Sequence, residues 1–179
     1  MGNPGFFLDK FFALIVKLED SHKYLFLNTI REIIINDSKC LKDYILELSE
    51  LLLKYTTHSE ESIRSIVAES IGRLFCTYPD EMVESISNGL QKGSELVKET
   101  LAKSVKYCVQ KDLEDAKLLQ SLAIDLVALR KEAKPNIKKN ALEGLTTIVH
   151  YDWTLIKDLL KAVAEFAHDE TSVRKELID

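Results

Sequence analysis

One spacing constrains this chain more than any other feature. Apolar residues recur three and four positions apart along almost all of it, and short polar joints interrupt them. An α-helix turns about 100° per residue, so this spacing gathers the apolar side chains into one buried stripe. Leu41, Ile45, Leu48 and Leu52 form one such stripe, and Ile63, Val67, Ile71 and Leu74 form the next. Met82-Ile86-Leu90, Val97-Leu101-Val105-Cys108 and Leu119-Leu122-Leu126-Leu129 continue the series. Ile137-Ala141-Leu145-Ile148 and Leu155-Leu159-Val163-Phe166 complete it. No stretch alternates with period two for long enough to nominate a strand. Six Gly and three Pro in 179 residues, with 46% hydrophobic content, leave little for β-turns and enough for a packed interior. The expected class is all-α.

The joints carry cap chemistry. Thr57 and Glu60 have the spacing of a capping box ahead of the Ile63 stripe. Pro79-Asp80 and Lys134-Pro135-Asn136 each place proline where only a first helical turn tolerates it. Gly93-Ser94 and Asp112 mark further joints, and Asp152 before Trp153 has the chemistry of an N-cap. Ten helices are predicted, near 5–17, 22–35, 39–55, 60–77, 80–91, 94–110, 114–131, 136–149, 153–167 and 171–179. Links this short join successive helices as antiparallel hairpins.

Every second helix also repeats. The stripes beginning at Leu25, Ile63, Val97, Ile137 and Val173 are spaced by 38, 34, 40 and 36 residues. A basic residue follows four of these anchors directly: Arg64, Lys98, Lys138 and Arg174. This period, with two helices per unit, predicts an α-α superhelix, a HEAT-like solenoid of about five hairpin repeats. The tetratricopeptide pattern of Trp, Leu-Gly and Tyr is missing, and armadillo units need a third helix. Residues 1–179 read as a single solenoid segment. The unit opening at Val173 stops early, and Leu177-Ile178 is not the polar outer face of a capping repeat. A piece of a longer chain is expected.

The net charge of −5 argues against a duplex-DNA or anionic-membrane binder. Residues 92–139 nevertheless hold 11 Lys/Arg against 7 Asp/Glu, so basic charge concentrates in the middle repeats. Cys40, Cys76 and Cys108 form no CxxC pair and sit in apolar helical stretches, where small buried hydrophobes are expected. Their usage fits the reducing cytoplasm or nucleus. The apolar run from Phe11 to Val16 is too short to span a membrane, and no cleavage site follows it. His22, His58, His150 and His168 lie at different joints without metal-ligand spacing. No phosphate loop, GxSxG or HExxH occurs, and Asp152-Trp153 is better used as a cap than as an acid beside an aromatic. No catalytic, cofactor or metal residue is assigned, and no small-molecule substrate is expected.

Two sets of charged residues need a role. Arg64, Lys98, Lys138 and Arg174 recur at one repeat position, and pairing with Asp, Glu or Asn of neighbouring turns is their expected use. The second set falls away from the apolar stripes of the second helices: Ser65, Glu69, Gly72 and Arg73, then Glu99, Lys103, Lys106 and Tyr107, then Lys139, Glu143, Thr146 and Thr147. In HEAT-type solenoids the second helices line the concave side. The candidate protein-binding residues are therefore Arg73, Lys103, Lys106, Tyr107 and Lys139, with Glu69 setting register.

Three segments carry a family resemblance. The run Glu60-Glu61-Ser62-Ile63-Arg64-Ser65-Ile66-Val67-Ala68-Glu69-Ser70-Ile71-Gly72-Arg73-Leu74 resembles a stretch of the cullin-associated, neddylation-dissociated exchange factors, the TATA-binding-protein-interacting family. Leu155-Ile156-Lys157-Asp158-Leu159-Leu160 and Val173-Arg174-Lys175-Glu176-Leu177-Ile178 resemble it too, in the same order, within the later half of that solenoid. The likeness covers roughly residues 25–179 and rests on helix-packing motifs. It implies a HEAT scaffold that wraps a cullin–RING ligase core, cullin and RING subunit together. Such a scaffold hinders attachment of the ubiquitin-like modifier and promotes exchange of substrate receptors. The family's adaptor-displacing β-hairpin has no counterpart here, so no displacement activity is expected of this segment. An importin-like HEAT transport receptor is the alternative, but its acidic cargo-facing patches are not what the lysine-bearing middle repeats offer.

Overall fold

The computed structural model describes Lys10, residues 20–109 and residues 116–168. Among these residues the chain forms eight α-helices and no strand. They are α1 (Asp20–Asp37), α2 (Ile45–Tyr55), α3 (Glu61–Thr77), α4 (Pro79–Lys92), α5 (Glu95–Val105), α6 (Ala116–Ala128), α7 (Pro135–Asp152) and α8 (Leu160–His168). Eight of the ten predicted helices correspond to these. The outer two, near 5–17 and 171–179, lie outside the described residues apart from Lys10. Short 3-10 segments, Ser38–Tyr44 and Trp153–Leu159, lead into α2 and α8, and Leu129–Lys131 closes α6.

The helices lie in two rows. α1, α3, α5 and α7 stack side by side as an inner row, and α2, α4, α6 and the Trp153–Leu159 segment with α8 form an outer row. Each helix packs chiefly on its hairpin partner and on same-row helices one repeat away, the nearest-neighbour logic of a solenoid. The all-α solenoid reading holds. Between the rows runs one apolar core, to which the stripes contribute. Ile71, Val105 and Leu145, placed at one repeat position by the sequence, are all buried.

Local chemistry explains the joints. Pro79 and Pro135 occupy first turns, where the missing N–H costs nothing. The Asp152 carboxylate accepts from the Thr154 amide at 2.9 Å and from the Thr154 hydroxyl at 2.6 Å. Those two bonds, the hydroxyl first, hold its pKa below the ordinary value. The capping box does not form: Glu60 is the N-cap of α3 without a side-chain bond, and the Thr57 hydroxyl turns back to the Lys54 carbonyl at 3.4 Å. The joint is held instead by Arg64, whose Nη1 donates to the His58 and Ser59 carbonyls at 2.8 and 3.0 Å. With the N-cap at Glu60 rather than Thr57, no amide is left for the Thr57 hydroxyl to cap.

Three further expectations are corrected. The stripe of α1 is Phe26-Ile30-Ile34, not one opening at Leu25, which is 65% exposed. Cys40 is exposed rather than buried, because it falls in the 3-10 segment, where threefold spacing turns it away from Leu41. Gly72 is buried between α3 and α5 rather than on the open strip: a Cβ there would collide with the Ser104 carbonyl and with Tyr107. Its missing side chain lets the two inner helices close up, and this seats Tyr107 on α3.

Candidate protein-binding face

The inner row presents a continuous polar face, and ion pairs about one repeat apart tie it together. Arg31 of α1 reaches Glu69 of α3 at 3.5 Å, and Arg64 of α3 reaches Glu99 of α5 at 3.6 Å. Lys106, just past α5, meets Glu143 of α7 at 3.3 Å. Lys98 bonds Glu132 at 2.7 Å, and Lys134 meets Glu95 at 2.9 Å. Asn140 of α7 and Thr100 of α5 sit at equivalent positions. Each donates to a backbone carbonyl of the preceding repeat, Glu99 and Thr56 respectively, at 2.9 Å. The recurrent Arg64 and Lys98 are therefore stacking residues, as the pairing interpretation expects. Arg174 lies outside the described residues.

The six candidate residues gather on this face. Glu69 takes Arg31 on one side and Arg73 on the other, the latter at 3.8 Å. Lys103 donates to the Ser65 hydroxyl at 2.8 Å and lies 4.0 Å from Glu61. Tyr107 stands between two cations, with Lys106 Nζ at 5.2 Å and Arg73 Cζ at 6.0 Å from the ring centroid. Both are cation–π distances, with Arg73 at the outer limit. Lys139 is exposed and lines a groove of about 210 Å³ across α3, α5 and α7. Lys103 and Lys106 line the same groove, opposite Glu61, Glu99 and Glu143. Its walls alternate in charge, which suits polar recognition more than an apolar ligand.

Sequence reasoning missed Arg31, Asn140 and Asn136, the last of which also lines the groove. Arg31 stands six residues after Leu25 as Glu69 does after Ile63, but the strip read from the sequence starts only at α3. The two asparagines lacked a charge to draw notice, although the place of Asn140, three residues after its anchor as Thr100 is after Val97, was a usable signal. Cys76, beneath Tyr107, donates to the Tyr107 carbonyl at 3.3 Å, and burial lifts its pKa to about 11 against the counter-pull of Arg73. It is an inert packing thiol. Among the described residues no group of three His, Cys, Asp or Glu is placed to hold a metal ion. No described helix is long and apolar enough to cross a membrane.

Two-row hairpin stacking with a charged inner face defines the class: a helical-repeat solenoid of the kind that offers a broad surface to other proteins. The relatives narrow this. The chain is 28% identical to the Cullin-associated NEDD8-dissociated protein 1 of Drosophila melanogaster over 171 residues, 91% of this chain. It is 25% identical to the protein of the same name from Arabidopsis thaliana over 165 residues, 89% of this chain. Cullin-associated NEDD8-dissociated protein 2 of Mus musculus aligns over 179 residues, 99% of this chain, at 26% identity. In each case the chain spans only 14% of the relative's length. No protein-family model matches the chain. The relatives bear the name of the family that the Glu60–Leu74 run resembles.

Proposed function

We propose that this chain is a protein-binding scaffold segment of a regulator of cullin–RING ubiquitin ligases, acting in the cytoplasm and nucleus. One observation supports this above all: the likeness to proteins named as cullin-associated extends over 89% to 99% of the chain. The role is association rather than catalysis. The inner face carries Arg73, Lys103, Lys106, Tyr107 and Lys139, and it meets the cullin while the RING subunit sits within the same wrap. Within a longer parent chain, that contact contributes to holding the cullin against modification and to receptor exchange. A segment of this size covers only part of such an interface, so its own affinity is weak.

The test reverses Lys103 and Lys106 to Glu in the longer parent and follows association with a cullin–RING core by biosensor. A fall in on-rate and affinity at low salt is expected, since rim charges act mainly on encounter. Unchanged rates would remove this face from the interface. Failure of the unaltered parent to capture any cullin–RING complex would remove the cullin reading itself.

A further inference from the structure

Most charged groups on the inner face are occupied in holding repeats together, each against a carboxylate of the next repeat. Lys103 is placed differently. It lines the groove that crosses α3, α5 and α7. The contacts on either side of it run to α7: the Glu99 carbonyl, one turn earlier, accepts from Asn140, and Lys106, three residues later, meets Glu143. The Lys103 ammonium turns the other way, to α3, and donates to the Ser65 hydroxyl at 2.8 Å. Ser65 donates in turn to the Glu61 carbonyl at 2.9 Å, which leaves its lone pairs for the ammonium. A neutral oxygen thus holds the cation in place and leaves its charge unmatched. Among the described residues the one carboxylate within reach is Glu61, at 4.0 Å, and that side chain is 77% exposed against 24% for Lys103.

We infer that the inner face takes an acidic segment of a partner protein by counter-ion exchange at Lys103, in which an incoming Asp or Glu carboxylate replaces Glu61. This rests on reading that face as protein-binding, and it names one anchor and the group displaced from it. Glu61 is a weak counter-ion, because water screens an exposed carboxylate at 4.0 Å. A carboxylate entering the groove meets the same ammonium between three helices, where water screens the attraction less. It finds Lys103 already held by Ser65, so little side-chain freedom is lost on binding. Glu61 then turns into solvent, as its exposure allows. The groove is lined by four basic and three acidic side chains, so it accommodates one added carboxylate. A run of phosphates would also face Glu99 and Glu143 on the same walls. A nucleic acid is thus disfavoured, and an acidic protein segment is the occupant.

The experiment titrates this chain with an acetylated oligoglutamate peptide and follows the Lys103 ε-methylene and Ser65 amide signals by NMR. Both should shift saturably. Lys103→Met, read at Ser65, should weaken binding by about tenfold, the scale of a hydrogen bond to a charged group. Glu61→Gln removes the competing carboxylate and should tighten binding by about two- to fivefold, the scale of the part-exposed pair it breaks. Damage to the fold cannot mimic that gain. Glu47→Gln makes the same change of charge at an exposed position of α2, on the outer row, and should leave binding unchanged. Absence of saturable shifts, weaker or unchanged binding by Glu61→Gln, or equal tightening by Glu47→Gln would overturn the proposal. So would tighter binding of oligothymidylate than of the peptide, if it also depended on Lys103. A cullin–RING core is titrated in parallel. If the peptide responds as expected and the core does not bind, the exchange at Lys103 stands and the cullin reading falls. If the core binds while Glu61→Gln fails to tighten the peptide, the cullin reading stands and the exchange falls.

Discussion

The two rows of helices bury similar apolar stripes but solve their polar bookkeeping differently. The inner row crosses from repeat to repeat by ion pairs, part-exposed at Arg31–Glu69 and Lys106–Glu143 and more covered at Arg64–Glu99. The outer row places a carboxylate inside. Asp125 of α6 is buried, and it accepts from the Ser87 hydroxyl of α4 at 2.6 Å and from the Gln91 amide at 2.8 Å. Surface pairs gain little because water competes for both partners, while a buried carboxylate without its donors is costly. The inner face can therefore tolerate rearrangement of its charges when another protein arrives. The outer row cannot release Asp125 so cheaply.

Four expectations probe this difference, in falling order of effect. Ile71→Ala opens a cavity under the inner row and should cost about 2–5 kcal/mol. Because each repeat leans on its neighbours, amide exchange should quicken first in α3 and α5, with α8 least affected. Uniform loss of protection along the chain would show one cooperative unit instead. Asp125→Ala strands two donors and should cost about 1–3 kcal/mol by chemical denaturation, with little dependence on salt. Lys98→Met breaks a partly covered inner pair with Glu132 and should cost about 1 kcal/mol, shrinking as salt is raised. If Lys98→Met proved the costlier of the two, the contrast between rows would be lost. The smallest effect is at Asp152. Its folded pKa lies below the ordinary 3.8, so its contribution is complete above the unfolded pKa and is lost as pH falls through the folded one. A carbon-detected titration should place its midpoint below 3.8, and a midpoint at or above that value would deny the cap.

The rows also differ in how far they could be read beforehand. Helix order, the hairpin stacking and the buried stripes followed from period alone, because burial of one face is the strongest demand on an amphipathic helix. Misreadings arose where local alternatives lie close in energy. Leu25 and Phe26 are adjacent and both apolar, so only packing could choose between them. The Thr57–Glu60 spacing was correct, yet Arg64 reached the same joint from within the helix. Gly72 looked like a surface position by angle, and only the closeness of α5 revealed its use. The candidate face was legible in outline because charge off the stripe must face solvent. Which of its charges are already engaged is a matter of distances between repeats, and no spacing within one helix encodes that.

The ion pairs between repeats have a mechanical consequence. Each fastens one helix to the next of the inner row, so any bending of the stack lengthens or shortens all of them together. The row then behaves as a spring whose stiffness is partly electrostatic. Ions at physiological strength screen over about 8 Å, and the pairs themselves lie at 3.5, 3.6 and 3.3 Å. Raising salt should soften each link without altering the apolar core. Curvature becomes an adjustable property of the inner row, set link by link through the residues that meet at each crossing.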